Sequence, residues 1–457
     1  MADLISKLIE SIGERHVLLG DAVRDRNPGL DLANMKAGVL VCPADPDEVS
    51  AVMRLCSEAR QSVVVHGGLT GAVQGAVTTQ DDVILSLERL NKIEALDPVS
   101  GSITVQAGVT LQTVQETAEA SDYIFPLDIG SRGSCTIGGN IATNAGGVQV
   151  IRYGMMRALV LGLEVVLADG RILSSLDTVL KNNSGYDLKQ LFIGSEGTLG
   201  VITRAVLRLA PRPGEKRTAF VATESFDQLL DLLQHIRRCL GTRLGSFEVM
   251  WRNYYEFAAD AHDFPPPLPA GYDAYTIIEG LSSHESDSVV FDEALEKAFV
   301  SGLVVDGIVA KSERERESFW SLRDSFMHII AEYTDIVDLD ISVPILKTRE
   351  YMELTEKQLK ERFPELVLLL HGHLGDGNLH PLICGYNITP ETREEVERIF
   401  YEPLHDFGGA VSGEHGIGIE RRRYLHFSRS SPEIDVMRSL KATLDPKNIL
   451  NPGKVLP

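Results

Sequence analysis

PLDIGSRGSCTIGGNIATNAGG, running from Pro126 to Gly147, is the stretch that decides the fold of this chain. Six glycines fall between Ile129 and Gly147, and glycine lets several backbone N–H groups point at one oxyanion with no Cβ in the way. A segment of this composition is suited to lie against a pyrophosphate. Two more glycine loops belong with it: HGGLTG at His66 to Gly71, which follows the β-branched run Ser62 to Val65, and GSEGTLGVIT at Gly194 to Thr203. None of them shows GxGxxG between a strand and a helix with a distal acid, so a nicotinamide-binding Rossmann domain is set aside.

Outward from these loops, the first third alternates short strands and helices. Strands are expected at Gly38 to Cys42, Val83 to Leu87, Ile103 to Gln106 and Leu163 to Ala168, the last ending in a hairpin turn at Asp169-Gly170. Asp45, with Pro46 at the first helical position and Glu48 two residues later, opens a helix whose apolar positions are Val49, Val52, Met53 and Cys56. Pro211 and Pro213 punctuate the chain and mark a lobe boundary. Beyond them Ser225 and Gln228 form a capping box ahead of an amphipathic helix through Leu229, Leu230, Leu233 and Ile236. Pro265 to Pro267 reads as an extended loop, and ERERE at Glu313 to Glu317 reads as the solvated face of a helix. The tail, LDPKNILNPGKVLP, is turn-rich and reads as a strap.

With 457 residues the chain is longer than one core usually supports, and two or three lobes are expected. A net charge of −21 leaves nothing to neutralise a phosphate backbone, so nucleic acid is excluded as a partner. The five cysteines are scattered with no CxxC, which points to free thiols in a reducing compartment rather than to a metal-sulfur centre. No apolar run approaches the roughly 18 residues of a membrane span and the first residues carry acids, so a cytoplasmic location is expected.

The chemistry concentrates near the end of the chain, in HGHLGDGNLH at His371 to His380 and GEHGIG at Gly413 to Gly418. His373 and His380 bracket a Gly-Asp-Gly turn, so two imidazoles can converge on a cation while Glu414 closes the site from elsewhere. Three protein ligands leave coordination positions open, as in catalytic rather than structural metal sites. Two imidazoles and a carboxylate suit zinc first, and manganese, iron or cobalt as well. His415, next to Glu414, is the candidate general base, whereas His371 either supports a ligand or simply packs, and Asp376 holds the turn or orients a ligand.

These segments, together with VIRYGMMRALVLGLEVVLADG, NNSGYDLKQLFIGSEGTLGVIT and the C-terminal strap, resemble the FAD-dependent D-2-hydroxyacid dehydrogenases of the vanillyl-alcohol-oxidase flavoprotein superfamily. The resemblance runs in order from about Gly38 to Pro457. It implies an α+β chain: a two-subdomain FAD-binding lobe over 1–212, a substrate and metal lobe with an antiparallel sheet over 213–440, and a strap over 441–457 that returns to the FAD lobe. By the same carry-over, Gly67, Gly68, Thr70, Gly71, Ser134, Gly138, Gly139, Asn140, Ala142, Asn144 and Gly147 line FAD. Glu196, Gly200, Val201 and Ile202 fall near its adenine side, and Asn451 and Lys454 near the flavin. Leu69 stands where the family commonly has Asn, which removes one polar contact. No counterpart of a tethering histidine is evident, so the FAD is expected to be non-covalent, with His66 packed beneath its phosphates.

The reaction implied is oxidation of a D-2-hydroxy acid to the 2-oxo acid, with hydride transfer to FAD. Arg323, in FWSLRDSF, matches the arginine that clamps the substrate carboxylate, unless it serves as an ordinary ion pair with Asp324. D-2-Hydroxyglutarate dehydrogenases use polar residues at positions corresponding to Met327, Asp338 and Leu382 to hold the far end of the substrate. Here these are apolar or acidic, so D-lactate or a longer apolar D-2-hydroxy acid is expected. The alternatives are D-2-hydroxyglutarate dehydrogenase, the catalytic subunit of a glycolate oxidase, and a non-catalytic flavin-binding subunit of an oxidase complex. The electron acceptor, whether quinone, cytochrome, electron-transferring flavoprotein or O₂, is left open by the sequence, as is a homodimer.

Overall fold

The computed structural model describes residues 1–282 and 286–457. It divides into two compact units, one made of Met1–Gly147, Tyr153–Arg212 and Glu414–Pro457, the other of Val148–Arg152 and Pro213–Gly413. Helices and antiparallel sheet in both make it the α+β chain expected.

The first unit carries two main sheets. In the smaller, Val39–Val41 and Val63–His66 flank Val83–Ser86 in parallel, and Val17–Leu19 adds an antiparallel edge. The larger is wholly antiparallel, in the order Ile93–Asp97, Ser102–Gln106, Val201–Arg208, Val160–Val166, Ile172–Ser175. The last two strands form the expected hairpin, with Gly170 at φ +86° in its turn. The helix Pro46–Ala59 starts as its sequence demands: the Asp45 side chain accepts from the Glu48 N–H at 2.9 Å, and the Glu48 carboxylate reaches back to the Ala44 N–H at 2.7 Å. Its apolar face, Val49, Val52, Met53 and Cys56, is fully buried.

The chain re-enters this unit at Glu414, ahead of the expected 441. The reason is polar: Glu196 takes the N–H groups of Ile417 and Gly418, and Lys441 reaches the Thr198 and Leu450 carbonyls. The tail then lies along the strand Val63–His66, with Leu450 bridged to Val63 and Ile449 and Leu450 in the core.

The second unit is built on one antiparallel sheet. Its order is Asp306–Val309, Glu215–Thr223, Ala274–Ser282, Leu244–Trp251, Val367–His373, Asn378–Gly385, Asp335–Asp338, and Ile341–Ser342 also pairs with Asn378–Gly385. Helices Phe226–Leu240 and Ser286–Val300 cover one face, packing on Val221, Phe247 and Ile278. Helices Arg252–Ala261 and Glu313–Arg323 cover the other, packing on Phe220, Met250 and Tyr275. A sheet buried on both faces reads as nearly continuous apolar strands, so any acid inside one must have a built partner. The cap at Ser225 forms as expected, its Oγ accepting from the Gln228 N–H at 3.2 Å, but the Gln228 side chain accepts from the Glu224 N–H at 2.7 Å and so does not close the expected box on Ser225.

The charged run Glu313–Glu317 is helical, but Arg316 corrects the solvated-face expectation. It points inward and pairs at 3.2 Å with Glu279, which also accepts from Thr218 and Trp320.

Candidate functional site

All three glycine loops meet inside the first unit. The loop after His66 abuts the segment 134–139: a Cβ on Gly67 would stand 2.6 Å from Thr136 Oγ1, and one on Gly68 would run into the Ser134 carbonyl. The third loop joins them through hydrogen bonds from Gly194 N–H to the Ile141 carbonyl at 3.0 Å and from Glu196 N–H to the Ala142 carbonyl at 2.8 Å. Gly67, Gly68, Leu69, Thr70 and Gly71 donate no backbone hydrogen bond to any described residue. Five consecutive N–H groups left open in a half-exposed loop are what a pyrophosphate-bearing cofactor requires.

Two side chains beside that loop also want a ligand. Lys454 is 4% exposed, its Nζ makes no hydrogen bond to a described residue, and burial pushes its pKa down to about 8 against the pull of Asp82 and Glu196. His66 donates Nε2–H to the Ala76 carbonyl at 2.8 Å and leaves a buried Nδ1 without a partner. Burial pushes its pKa down to about 4, so the ring is neutral.

Other residues expected at the cofactor have structural partners. Asn451 accepts from Val65 N–H at 2.9 Å and donates to the Glu196 carbonyl at 2.7 Å, which fastens the tail to the loop. Asn144 ends its helix in the left-handed conformation and accepts from Arg157 N–H at 2.8 Å, and Asn140 is buried and donates to Cys135 Sγ at 3.5 Å. Gly138 lies against Ala107, Gly147 against the Asp128 carbonyl and Gly200 against Val165 and Phe192, while Val201 and Ile202 are buried strand residues. The Glu196 carboxylate holds the Ile417 and Gly418 N–H groups at 2.7 and 2.9 Å. Burial nevertheless raises its pKa, the backbone donors working the other way.

In the second unit the histidines stand on neighbouring strands of one hairpin, with His371 paired to His380 and His373 to Asn378. The Gly372 position explains the tight crossing, since a Cβ there would meet the Asn378 carbonyl at 2.6 Å. Asp376 accepts from Asn378 N–H at 3.2 Å in the turn between them. The His373 and His380 rings lie edge to face with centroids 5.2 Å apart. His371 stacks on His380 with centroids 5.2 Å apart and lies tilted against Tyr254 at 4.5 Å, and its Nδ1 is without a partner among the described residues. Burial, reinforced by the Arg323 charge, drives the His371 pKa well below the ordinary value, so it packs as a neutral ring.

Arg323 is deeply engaged. Its Nε donates to Glu248 at 3.1 Å, Nη1 to Asp324 at 3.1 Å and Nη2 to His373 Nε2 at 3.1 Å. Asp340, fully buried, accepts from Asn378 Nδ2 at 2.8 Å, Ser412 Oγ at 3.0 Å and Gly413 N–H at 3.1 Å, and so fixes the chain immediately before Glu414. The ligand atoms of His373, His380 and Glu414 lie within 4.8 Å of one another, a donor set able to hold a divalent cation.

Glu248 and Asp340 were not legible as parts of the site, and Glu196, expected near the adenine side of FAD, was not legible as the anchor of Ile417 and Gly418. Glu248 had a signal: it is the lone acid in the apolar run GSFEVMW, and an acid in a doubly covered strand needs a partner. Glu196 and Asp340 serve residues more than 70 positions away, and no local pattern shows that.

Comparison with known proteins agrees with this geometry. The family described as "FAD linked oxidases, C-terminal domain" matches residues 212–455, and the "FAD binding domain" matches residues 37–175. The chain is 41% identical over 421 residues to the mitochondrial D-2-hydroxyglutarate dehydrogenase of Danio rerio, covering 92% of this chain and 78% of that one. It is 37% identical over 421 residues to the D-2-hydroxyglutarate dehydrogenase of Xanthomonas citri pv. viticola, covering 91% and 88%. Among solved structures, 4-ethylphenol oxidase from Gulosibacter chungangensis shares the fold, with a TM-score of 0.75 at 17% identity, covering 100% of this chain and 97% of that one. The chain therefore belongs to the FAD-dependent D-2-hydroxyacid dehydrogenase family, among the vanillyl-alcohol-oxidase flavoproteins.

Proposed function

We propose that this enzyme oxidises a D-2-hydroxy acid with a short or apolar side chain, D-lactate foremost, to the 2-oxo acid, with a divalent cation at His373, His380 and Glu414. The observation that carries the metal reading is the convergence of those three ligand atoms within 4.8 Å. When bound, FAD supplies the hydride acceptor and the cation supplies Lewis acidity that makes the substrate hydroxyl easier to deprotonate. His373, His380 and Glu414 hold the ion. His415, one residue beyond Glu414, takes the hydroxyl proton, a role typically worth about 10²- to 10⁴-fold in rate. Arg323 would supply positive charge for the substrate carboxylate. The open N–H groups of Gly67 to Gly71, with Lys454, hold the anionic part of FAD. Electrons then leave to an external acceptor.

The preference for a monoacid rests on three positions. Asp338 and Leu382 face each other in register on adjacent strands, and Leu382 is 1% exposed. Met327, on the helix after Arg323, is 71% exposed. None of the three offers a donor to a second carboxylate, and Asp338 repels one. D-2-Hydroxyglutarate is the second reading, favoured by the names of the relatives. Stopped-flow bleaching of the flavin by D-lactate, D-2-hydroxybutyrate and D-2-hydroxyglutarate separates them: the monoacids are expected to reduce fastest, and fastest reduction by the diacid overturns the preference.

A further inference from the structure

Glu248 is buried to 1% exposure in the strand Leu244–Trp251, within an otherwise apolar stretch. That strand pairs antiparallel with Val367–His373 through Val249 to Gly372 and Met250 to His371. One step further in the same register sets Glu248 opposite His373. The side chains meet there: both Glu248 oxygens lie against His373 Nδ1, at 2.8 and 2.7 Å. Arg323 Nε closes the other side of the carboxylate at 3.1 Å.

A carboxylate paired with a guanidinium has only acceptor oxygens to offer, so the shared proton sits on Nδ1 of His373. The lone pair of this imidazole is then on Nε2, the nitrogen turned away from Glu248. In this structure that single lone pair accepts from Arg323 Nη2 at 3.1 Å, a hydrogen bond that a bound cation would have to displace, and one carboxylate sets both the ring and the guanidinium beside it.

We infer that Glu248 is the positioning residue of the metal centre, fixing the tautomer and ring angle of His373 so that Nε2 is the ligand atom. The inference rests on the metal reading of His373, His380 and Glu414. A carboxylate behind a ligand imidazole also raises its basicity, and loss of such a partner typically weakens metal binding by about 10- to 100-fold. Glu248 touches neither substrate nor flavin in this scheme.

A second buried glutamate provides the control. Glu279 lies in the adjacent strand Ala274–Ser282 at 2% exposure and pairs with Arg316 at 3.2 Å, and its hydrogen-bond partners among the described residues, Arg316, Thr218 and Trp320, include no histidine. Removing its charge tests what loss of a buried ion pair does to the sheet alone.

The experiment is titration of purified, chelator-stripped flavoprotein with Zn²⁺ against a competing chromophoric chelator. Co²⁺ absorption reports the ligand geometry. Glu248→Gln is expected to bind Zn²⁺ about 10- to 100-fold more weakly than wild type, with a changed Co²⁺ spectrum, while Glu279→Gln keeps wild-type affinity. Should Glu248→Gln fail to fold by circular dichroism, Glu248→Asp, which draws the acceptor back from Nδ1, carries the same expectation. Wild-type affinity in the Glu248 variant, or equal weakening in both glutamate variants, overturns the positioning role. Wild-type protein that takes up no Zn²⁺ or Co²⁺ fails the metal reading itself, a result distinct from either.

Discussion

At the scale of single residues, a few groups carry obligations that only a ligand or a long-range partner meets. His66 shows this through pH. Its folded-state pKa is pulled down by burial to about 4 from the ordinary 6.5. The stability of its neutral form is fully present above pH 6.5 and is lost as pH falls toward 4, because the unfolded chain binds the proton first. Urea unfolding of the flavin-free protein is expected to lose about 2 kcal/mol between pH 7 and pH 5 from this residue, and His66→Asn should flatten the profile; an unchanged slope in the variant removes His66 as its source. Gly68 meets a steric obligation. A methyl group there collides with the Ser134 carbonyl and parts the two glycine loops. Gly68→Ala is expected to purify with little or no flavin, judged by the ratio of visible to ultraviolet absorbance, whereas full flavin content would show that the loops yield without consequence.

At the scale of elements, the loop Ser412–Gly418 is fixed where it leaves each unit. Asp340 holds Ser412 and Gly413, and Glu196 holds Ile417 and Gly418. Between these points lie Glu414 and His415, so slack at either end would misplace the proposed metal ligand and the proposed base. Glu196→Gln retains one acceptor oxygen for two N–H groups and is expected to cost about 1–3 kcal/mol in stability. It should also lower kcat with FAD still bound; undiminished turnover would detach the loop from catalysis. Much at this scale was legible beforehand. Asp45 and Ser225 announced their helices because a cap is a local contract between residues three apart. The His371–His380 hairpin was legible as a tight turn because its glycines and histidines are adjacent in sequence. Arg316 was misjudged, since ERERE gives no hint that a buried glutamate waits for one of its charges. Glu248 and Asp340 went unassigned for the same reason: their partners are brought by sheet register and loop return, which no short window of sequence contains.

At the scale of the molecule, the family resemblance read from the ordered motifs is met by the family matches and the fold. The α+β class followed from those motifs, whereas the re-entry of the chain at Glu414 depended on hydrogen bonds formed only after folding. No helix among the described residues is long and apolar enough to cross a membrane. In the proposed reaction a cation gripped by His373, His380 and Glu414 is needed before the flavin can take a hydride from a D-2-hydroxy acid. This requirement is tested by mixing D-lactate anaerobically with the flavoprotein in a stopped-flow instrument before and after removal of metal by a chelator, and again after Zn²⁺ or Mn²⁺ is returned. Bleaching of the oxidised flavin is expected to be lost with the metal and restored with it. Bleaching at full rate in metal-free protein would contradict the requirement.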